Sequence, residues 1–493
     1  MSKPAKAKLK TTAVPAPPPA GESKPSRFGR SPAAYVLASA AVLIPCFWQS
    51  RIQAGDLGSH IYNSWLAEMA EKGQAPGLKV VVQTTNILFD LVLSVLFRTM
   101  GAAAAQRIAV SLAVLVFFWG ALAFVRTASG RAWTMAPALA ALAYGWVFHM
   151  GFFNFYMSLG LCFWAMAVAW EGATPWRIGA AAALLAAAYV AHALPVAWAI
   201  GALVYAWIWR RSSARARWYL IGALLGALVL LRAAIMASWR TRWYTNQGWR
   251  LSGADQLWIF GDKYIALAYA LAAVWVSIAI WRLRAKPPAG PVLPIAAITA
   301  AAIFLIPTAI WIPGYQHQLA YIAERMSLPL AVMVCAALSG AWVRPWQTAA
   351  MAVLVLALFG VLYADESVLN GFEDQVDEVV ARIPAGRRVV LSVVDEEIEV
   401  NALAHMIDRA CVGHCWSYGN YEPSTGQFRV RVTGASSVVV TTDVDAGMLE
   451  VGSYIVKPGD LPLTQILANS AGRLVLREPP AGGPIGATRW SGL

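Results

Sequence analysis

Twelve apolar runs fill the first 363 residues, at 31–50, 84–100, 105–125, 133–149, 153–170, 177–193, 195–209, 217–236, 263–283, 291–311, 326–343 and 346–363. Most come near the ~20 residues that a helix needs to cross a bilayer. With only 13% of its residues charged and 59% hydrophobic, the chain cannot bury so many runs behind a polar surface of its own. It reads as a polytopic α-helical membrane protein. The 23 Trp suit the two lipid–water boundaries, where an apolar ring with one N–H is best placed.

The short basic loops decide how many runs cross. If all twelve did, with the basic N-terminus inside, "RRSSARAR" (210–217) and "WRLRAKPP" (281–288) would face outward, against the positive-inside rule. Removing 84–100 from the spans repairs this. That run is short and carries Asp90 at its middle, a charge that costs roughly 3 kcal/mol or more at mid-membrane. About eleven transmembrane helices are therefore expected, with 84–100 lying on the outer face. The short runs 177–193 and 195–209 meet at "HALP", where Pro195 permits a tight outer turn.

Three regions follow. Residues 1–30, rich in Lys, Pro and Ala, are expected to be a disordered basic cytoplasmic tail. Residues 31–363 form the transmembrane domain, whose long outer loop 51–104 carries juxtamembrane helices. Residues 364–493 form a small soluble extracytoplasmic domain, α/β or β-rich, with strands expected at 387–394, 428–434, 436–443 and 472–478 and a helix at 372–383. Net charge is +20 over residues 1–363 and −7 over 364–493. The basic residues thus belong to cytoplasmic loops, and nucleic acid is not an expected partner.

Of the five cysteines, Cys46, Cys162 and Cys335 fall in or beside spans and read as small apolar residues. Cys411 and Cys415, in "DRACVGHCW", allow two readings: a local disulfide in an oxidising compartment, or a metal site with His405, Asp408 or His414.

The stretch "AGDLGSHIYNSWLAEMAEKG" (54–73) places Asp56 and His60 just after the first span. Apolar residues at 61, 62, 65, 66 and 69 predict an amphipathic helix in the interface plane. Asp56 or Ser59 then caps that helix through its side-chain oxygen, and His60 is an ordinary polar-face residue. The functional alternative makes Asp56 a general base or metal ligand, opposite a phosphate-binding cation. Arg325 in "YIAERMSLPL" (321–330) fits that part, although Glu324 and Arg325 also suit snorkelling at a helix end. The loop 237–262 sets Arg240, Arg242 and Arg250 among Trp239, Trp243, Trp249 and Trp258. That composition suits sugar faces and phosphates, or anchoring in the lipid interface.

The layout resembles the GT-C superfamily of polyprenyl-phosphate-sugar-dependent glycosyltransferases. Shared features are a retained first span, a long outer loop with an early acidic residue in a "GD" setting, a bundle of spans and a soluble outer domain. The resemblance covers most of 31–363 in architecture and a few residues in motif. It implies a sugar donor on a polyprenyl phosphate and a glycan, lipid or protein acceptor, at the outer face of a bacterial inner (cytoplasmic) membrane. It also implies Asp56 in "AGDLGSH" as the base, or as a ligand to a divalent cation (Mg or Mn). Arg325 falls on the phosphate, helped by Arg240 or Arg242. One departure stands out. The outer turn "FHMGFFNFYMS" (148–158) lacks the second acid that many members carry there. His149, His192 and His60 are left to supply ligands, or catalysis proceeds without metal. A non-catalytic envelope-glycan binding or assembly protein is the alternative. A transporter or flippase is less favoured, because no internal repeat or mid-membrane acid pair is visible.

Overall fold

The computed structural model describes residues 31–172, 174–285, 290–314, 318–340, 343–395 and 398–492. The expected basic tail 1–30 lies outside them. Two compact units divide at Ala41 and Val42, and the second holds the candidate site.

The protein is mainly helical. Six helices are long and apolar enough to cross a membrane: Leu88–Ser129, Ala193–Arg211, Ala214–Ser238, Asp262–Arg284, Ile322–Ser339 and Pro345–Val380. Four shorter apolar helices accompany them, Pro32–Cys46, Phe153–Ala169, Pro175–Ala191 and Val292–Leu305. The run 133–149 is not one helix. It breaks at Tyr144 (φ −113°, ψ 37°) into Ala136–Ala143 and Trp146–His149, and the Tyr144 hydroxyl donates to the Val42 carbonyl at 2.6 Å. Length and composition thus support six spans among the described residues; the expected count of about eleven would need the shorter apolar helices to cross as well.

Leu88–Ser129 bends sharply at Gly101 (φ 77°, ψ 171°), a backbone conformation that glycine adopts readily and other residues do not. The bend separates the expected outer run 84–100 from the span that follows. Asp90, in the first part, is 8% exposed.

Pro345–Val380 is continuous for 36 residues. The helix expected at 372–383 is therefore its C-terminal end, not a separate element, because no proline interrupts the chain before Pro384. That end carries a polar stripe at helical spacing which grips the segment entering the Asp56 loop. Trp48 Nε1 donates to Glu366 Oε2 at 2.7 Å, Ser50 Oγ to Asn370 Oδ1 at 2.8 Å, and Gln53 Nε2 to Glu373 Oε2 at 2.9 Å. Arg51 pairs with Asp374 at 2.6 Å and also with Asp377.

In the C-terminal region a four-stranded sheet runs in the order Leu474–Arg477, Leu463–Ala468, Arg388–Leu391, Trp416–Ser417, antiparallel in the first pairing and parallel in the others. The expected strand 436–443 is not one. Val438, Val439 and Val440 are all buried, so the segment lacks the in–out alternation of a strand with one wet face, and it fills the core as irregular chain. The strand expected at 428–434 shrinks to Val430–Val432, which pairs antiparallel with Leu78–Val80. The C-terminal region is thereby stitched to the loop 51–104. The helix Leu57–Glu71 is consequently covered on its polar side too. Ser59 Oγ donates to Glu422 Oε1 at 3.2 Å, and Asn420 Nδ2 to Asn63 Oδ1 at 2.8 Å. A helix lying free in the interface plane is not what forms.

Cys411 and Cys415 are joined as a disulfide, and His414 Nε2 is turned to the Ile383 carbonyl at 2.8 Å. The bond closes a short loop, so the chain-entropy relation gives a contribution of about 2 kcal/mol. Replacing both cysteines by serine should lower unfolding stability by about that amount, and added reductant should lower wild type alone. Denaturant unfolding with and without reductant checks both.

Candidate functional site

Asp56 is fixed through its backbone. Gly55 N donates to the His149 carbonyl at 2.7 Å and Asp56 N to the Met150 carbonyl at 3.0 Å. The approach is so close that a Cβ on Gly151 (φ 82°) would lie 2.4 Å from Asp56 N. Asp56 stands at the N-cap position of Leu57–Glu71, yet its side chain caps nothing. The reason is its helical backbone (φ −73°, ψ −4°), whereas a capping residue sits in the extended region with its side chain over the free N–H groups. Capping by Asp56 is thus not observed, and its carboxylate is left to other partners.

The nearest is His405, from the C-terminal region. His405 Nε2 is 3.7 Å from Asp56 Oδ1, and its Nδ1 donates to Asp408 Oδ2 at 2.8 Å. Asp408 is 2% exposed, and its other oxygen accepts from Ser417 Oγ. Close packing holds the two sides together, since a Cβ on Gly58 would lie 2.1 Å from the His405 carbonyl oxygen. Burial pulls the imidazole toward neutrality, but the hydrogen bond and charge of Asp408, followed by the charge of Asp56, outweigh it and raise its pKa to about 9.

Arg325, in Ile322–Ser339, is within electrostatic reach of Asp56. Its guanidinium lies 3.8 Å over the Phe152 ring and has no hydrogen-bond or ion-pair partner among the described residues; its Nε is buried and unpaired. Tyr321, one turn earlier, is a non-glycine residue with positive φ (56°), a conformation that costs about 1 kcal/mol or more. It holds its ring against Trp146 and Phe152, at 5.6 and 5.8 Å between centroids. Tyr421 closes the site, its ring 5.7 Å from that of His405.

Of the other residues singled out by sequence, few reach this place. His60 braces its floor. Its Nδ1 is 2.6 Å from Asp90 Oδ1 and its Nε2 3.3 Å from the Gly151 carbonyl. Burial would lower its pKa, but the Asp90 charge and hydrogen bond raise it to about 9. Asn154, in the turn that lacks the expected second acid, donates to Asp90 Oδ2 at 2.6 Å, so a carboxylate arrives there from another segment. Arg242 lines a polar cleft with Tyr244, Thr308, Gln318 and Tyr321, while Arg240 stacks on Trp311 at 4.9 Å.

His149, His192 and Glu324 are spent elsewhere. His149 is fully buried, 3.3 Å from Glu366 Oε1. His192 Nδ1 accepts from Leu194 N at 3.1 Å as the N-cap of the next helix. Glu324 accepts from Thr308 Oγ1 at 2.6 Å and lies 3.7 Å from Arg250 Nε. The expected cluster of histidine ligands does not form. Among the described residues no group of three or more His, Cys, Asp or Glu is placed to hold a metal. Asp56 and His405 would supply two donors, while Asp408 is committed to His405 Nδ1. Two protein donors do not by themselves make a cation cage, and no step below passes through a cation.

Compared with protein-family models, with curated proteins and with solved structures, the chain matches none. Its chemistry therefore rests on the site alone. One carboxylate, one half-buried guanidinium within its electrostatic reach and one imidazole tied to a second carboxylate lie close together. That set can take a proton from a hydroxyl and offset charge on an anion. Sequence had placed His405 and Asp408 only beside the cysteines, and nothing local to them signals Asp56, some 350 residues earlier.

Proposed function

We propose that the chain is a membrane glycosyltransferase of the GT-C kind. It moves a sugar from a polyprenyl phosphate to a hydroxyl of an envelope glycan, lipid or protein acceptor at the outer face of a bacterial inner membrane. Its eleven crossings, on this reading, are the six long helices, the four shorter apolar ones and the broken segment 132–149, with the outer part of Leu88–Ser129 resting on the surface.

The observation that carries the proposal is Arg325. Its half-buried guanidinium stacks on Phe152 but meets no anion among the described residues, and guanidinium geometry suits a phosphate. Asp56, within its electrostatic reach, is the base. It accepts the acceptor hydroxyl proton as that oxygen bonds to the anomeric carbon. The carbon–oxygen bond to the phosphate breaks, its electron pair stays on the departing phosphate, and Arg325 offsets the charge. Arg242, in the cleft that shares Tyr321, is the second arm toward the donor.

The test uses purified protein in lipid with a panel of radiolabelled polyprenyl-phosphate sugars. Wild type should release polyprenyl phosphate, with EDTA causing no loss. Arg325→Gln should lower kcat/KM about 10- to 100-fold, the value of a charge-assisted hydrogen bond. Donor that remains intact throughout sinks the proposal, and loss of turnover in EDTA restores a metal to the mechanism.

A further inference from the structure

Asp56 does not face its site alone, and the imidazole beside it has a fixed orientation. His405 Nδ1 donates to Asp408 Oδ2 at 2.8 Å, leaving Nε2 at ion-pair distance, 3.7 Å, from Asp56 Oδ1. Asp408 is held in turn by the Ser417 hydroxyl, and the backbone N–H of Ser417 donates to the Tyr62 hydroxyl at 3.0 Å. Tyr62 belongs to Leu57–Glu71, the helix that Asp56 begins, so this polar chain returns to the element it started from. The Cys411–Cys415 disulfide closes the end of Met406–Cys411, the short helix that carries Asp408.

We propose that His405 is the positioning residue for Asp56: anchored by Asp408, it presents an N–H that fixes where the base carboxylate points. The proposal rests on the glycosyl-transfer reading for its consequence in catalysis, but not for the arrangement itself. His405 transfers no proton to substrate. It holds one, on Nε2, between two carboxylates.

Other charged or titratable groups bear on this set from each surrounding element. Arg325 and Tyr321 reach Asp56 from the start of Ile322–Ser339. Tyr421 and Glu450 reach His405 from the C-terminal region, and Asp56 acts on His60 of its own helix. The two carboxylates and Glu450 all favour a cationic ring. With a folded pKa raised to about 9, the N–H that faces Asp56 is present through neutral pH. It is lost as pH rises through about 9, when Nε2 turns a lone pair toward the carboxylate.

The test is an NMR titration of the His405 ring nitrogens in the full-length, disulfide-intact protein, with His405→Gln assigning the signal. It is run on wild type, Asp56→Asn and Asp408→Asn, beside the pH profile of sugar release. Both aspartate variants should lower the titration of His405, by about one unit or more for Asp408→Asn. The alkaline fall in sugar release should move down with it in Asp408→Asn, and move up in His405→Lys, whose cation persists to higher pH. His405→Gln should lose about 100-fold in kcat, as for a misaligned base, with donor KM unchanged. If Asp56→Asn leaves the His405 titration where it was, the imidazole does not engage Asp56 and the proposal is overturned. An alkaline limb that ignores both Asp408→Asn and His405→Lys overturns it equally. Should both titration shifts occur while wild type consumes no donor, the arrangement stands and the glycosyltransferase reading falls.

Discussion

Asp56→Asn should abolish most sugar release, by about 10²- to 10⁴-fold in kcat, while leaving the unfolding transition essentially in place. The second half of this expectation distinguishes a base from a cap. An aspartate that caps a helix costs about 1 kcal/mol when its oxygen is removed, and asparagine, itself a good cap, would largely conserve that. Here the Asp56 side chain makes no capping bond, so neither asparagine nor alanine removes one. Its segment is held instead by the backbone bonds of Gly55 and Asp56 to the 149–150 carbonyls, which both variants keep. Parallel turnover and melting measurements decide the matter. An Asp56→Ala protein that melts early and a donor that is never consumed would return Asp56 to a structural part.

The largest stability effect is expected at Glu373. Its side chain is fully buried, 3.3 Å from Arg409 Nε and 3.9 Å from Arg51 Nε, and it accepts from Gln53 Nε2 at 2.9 Å. Glu373→Ala leaves two largely buried arginines facing each other with their shared anion gone, which costs about 3–5 kcal/mol. Asp374→Asn is the control. Asp374 also pairs with Arg51, but its side chain is 61% exposed, and exposed pairs contribute roughly 0–1 kcal/mol. Denaturant unfolding of both variants tests the contrast, and equal losses would mean that the stripe acts by surface charge alone. Because Arg51 and Gln53 lead directly into Asp56, Glu373→Ala should also lower turnover.

Half of the site could be read from the sequence because its members mark boundaries. Asp56 follows the first apolar run and Arg325 stands at the start of a later one, so the expected topology sends both to one face. His405 and Asp408 carried no such mark. Their place depends on how the C-terminal region docks, and the pairing that anchors it, Leu78–Val80 with Val430–Val432, spans three residues on each side. Two three-residue segments 350 residues apart show no period that could be recognised. The same region hid its sheet for a different reason. In Leu463–Ala468 the polar Thr464 and Gln465 are buried beside Leu463 and Ile466, so the strand shows no polar–apolar alternation. Val438–Val440 looked like a strand because it is apolar throughout. Conversely, His149 and His192 looked available because a membrane-facing turn is where ligands are sought, yet one is buried against Glu366 and the other caps a helix.

The continuous helix Pro345–Val380 has a mechanical consequence. Its 36 residues span about 54 Å at 1.5 Å per residue, against a hydrocarbon core about 30 Å thick. A stiff rod of roughly 24 Å is left over, and to that rod the segment leading to Asp56 is fastened at Glu366, Asn370, Glu373 and Asp377. If this helix crosses the bilayer as proposed, the height of the carboxylate above the lipid is gauged by a helix and not by a loop, and a thinner or thicker bilayer would tilt the rod and carry the whole site with it.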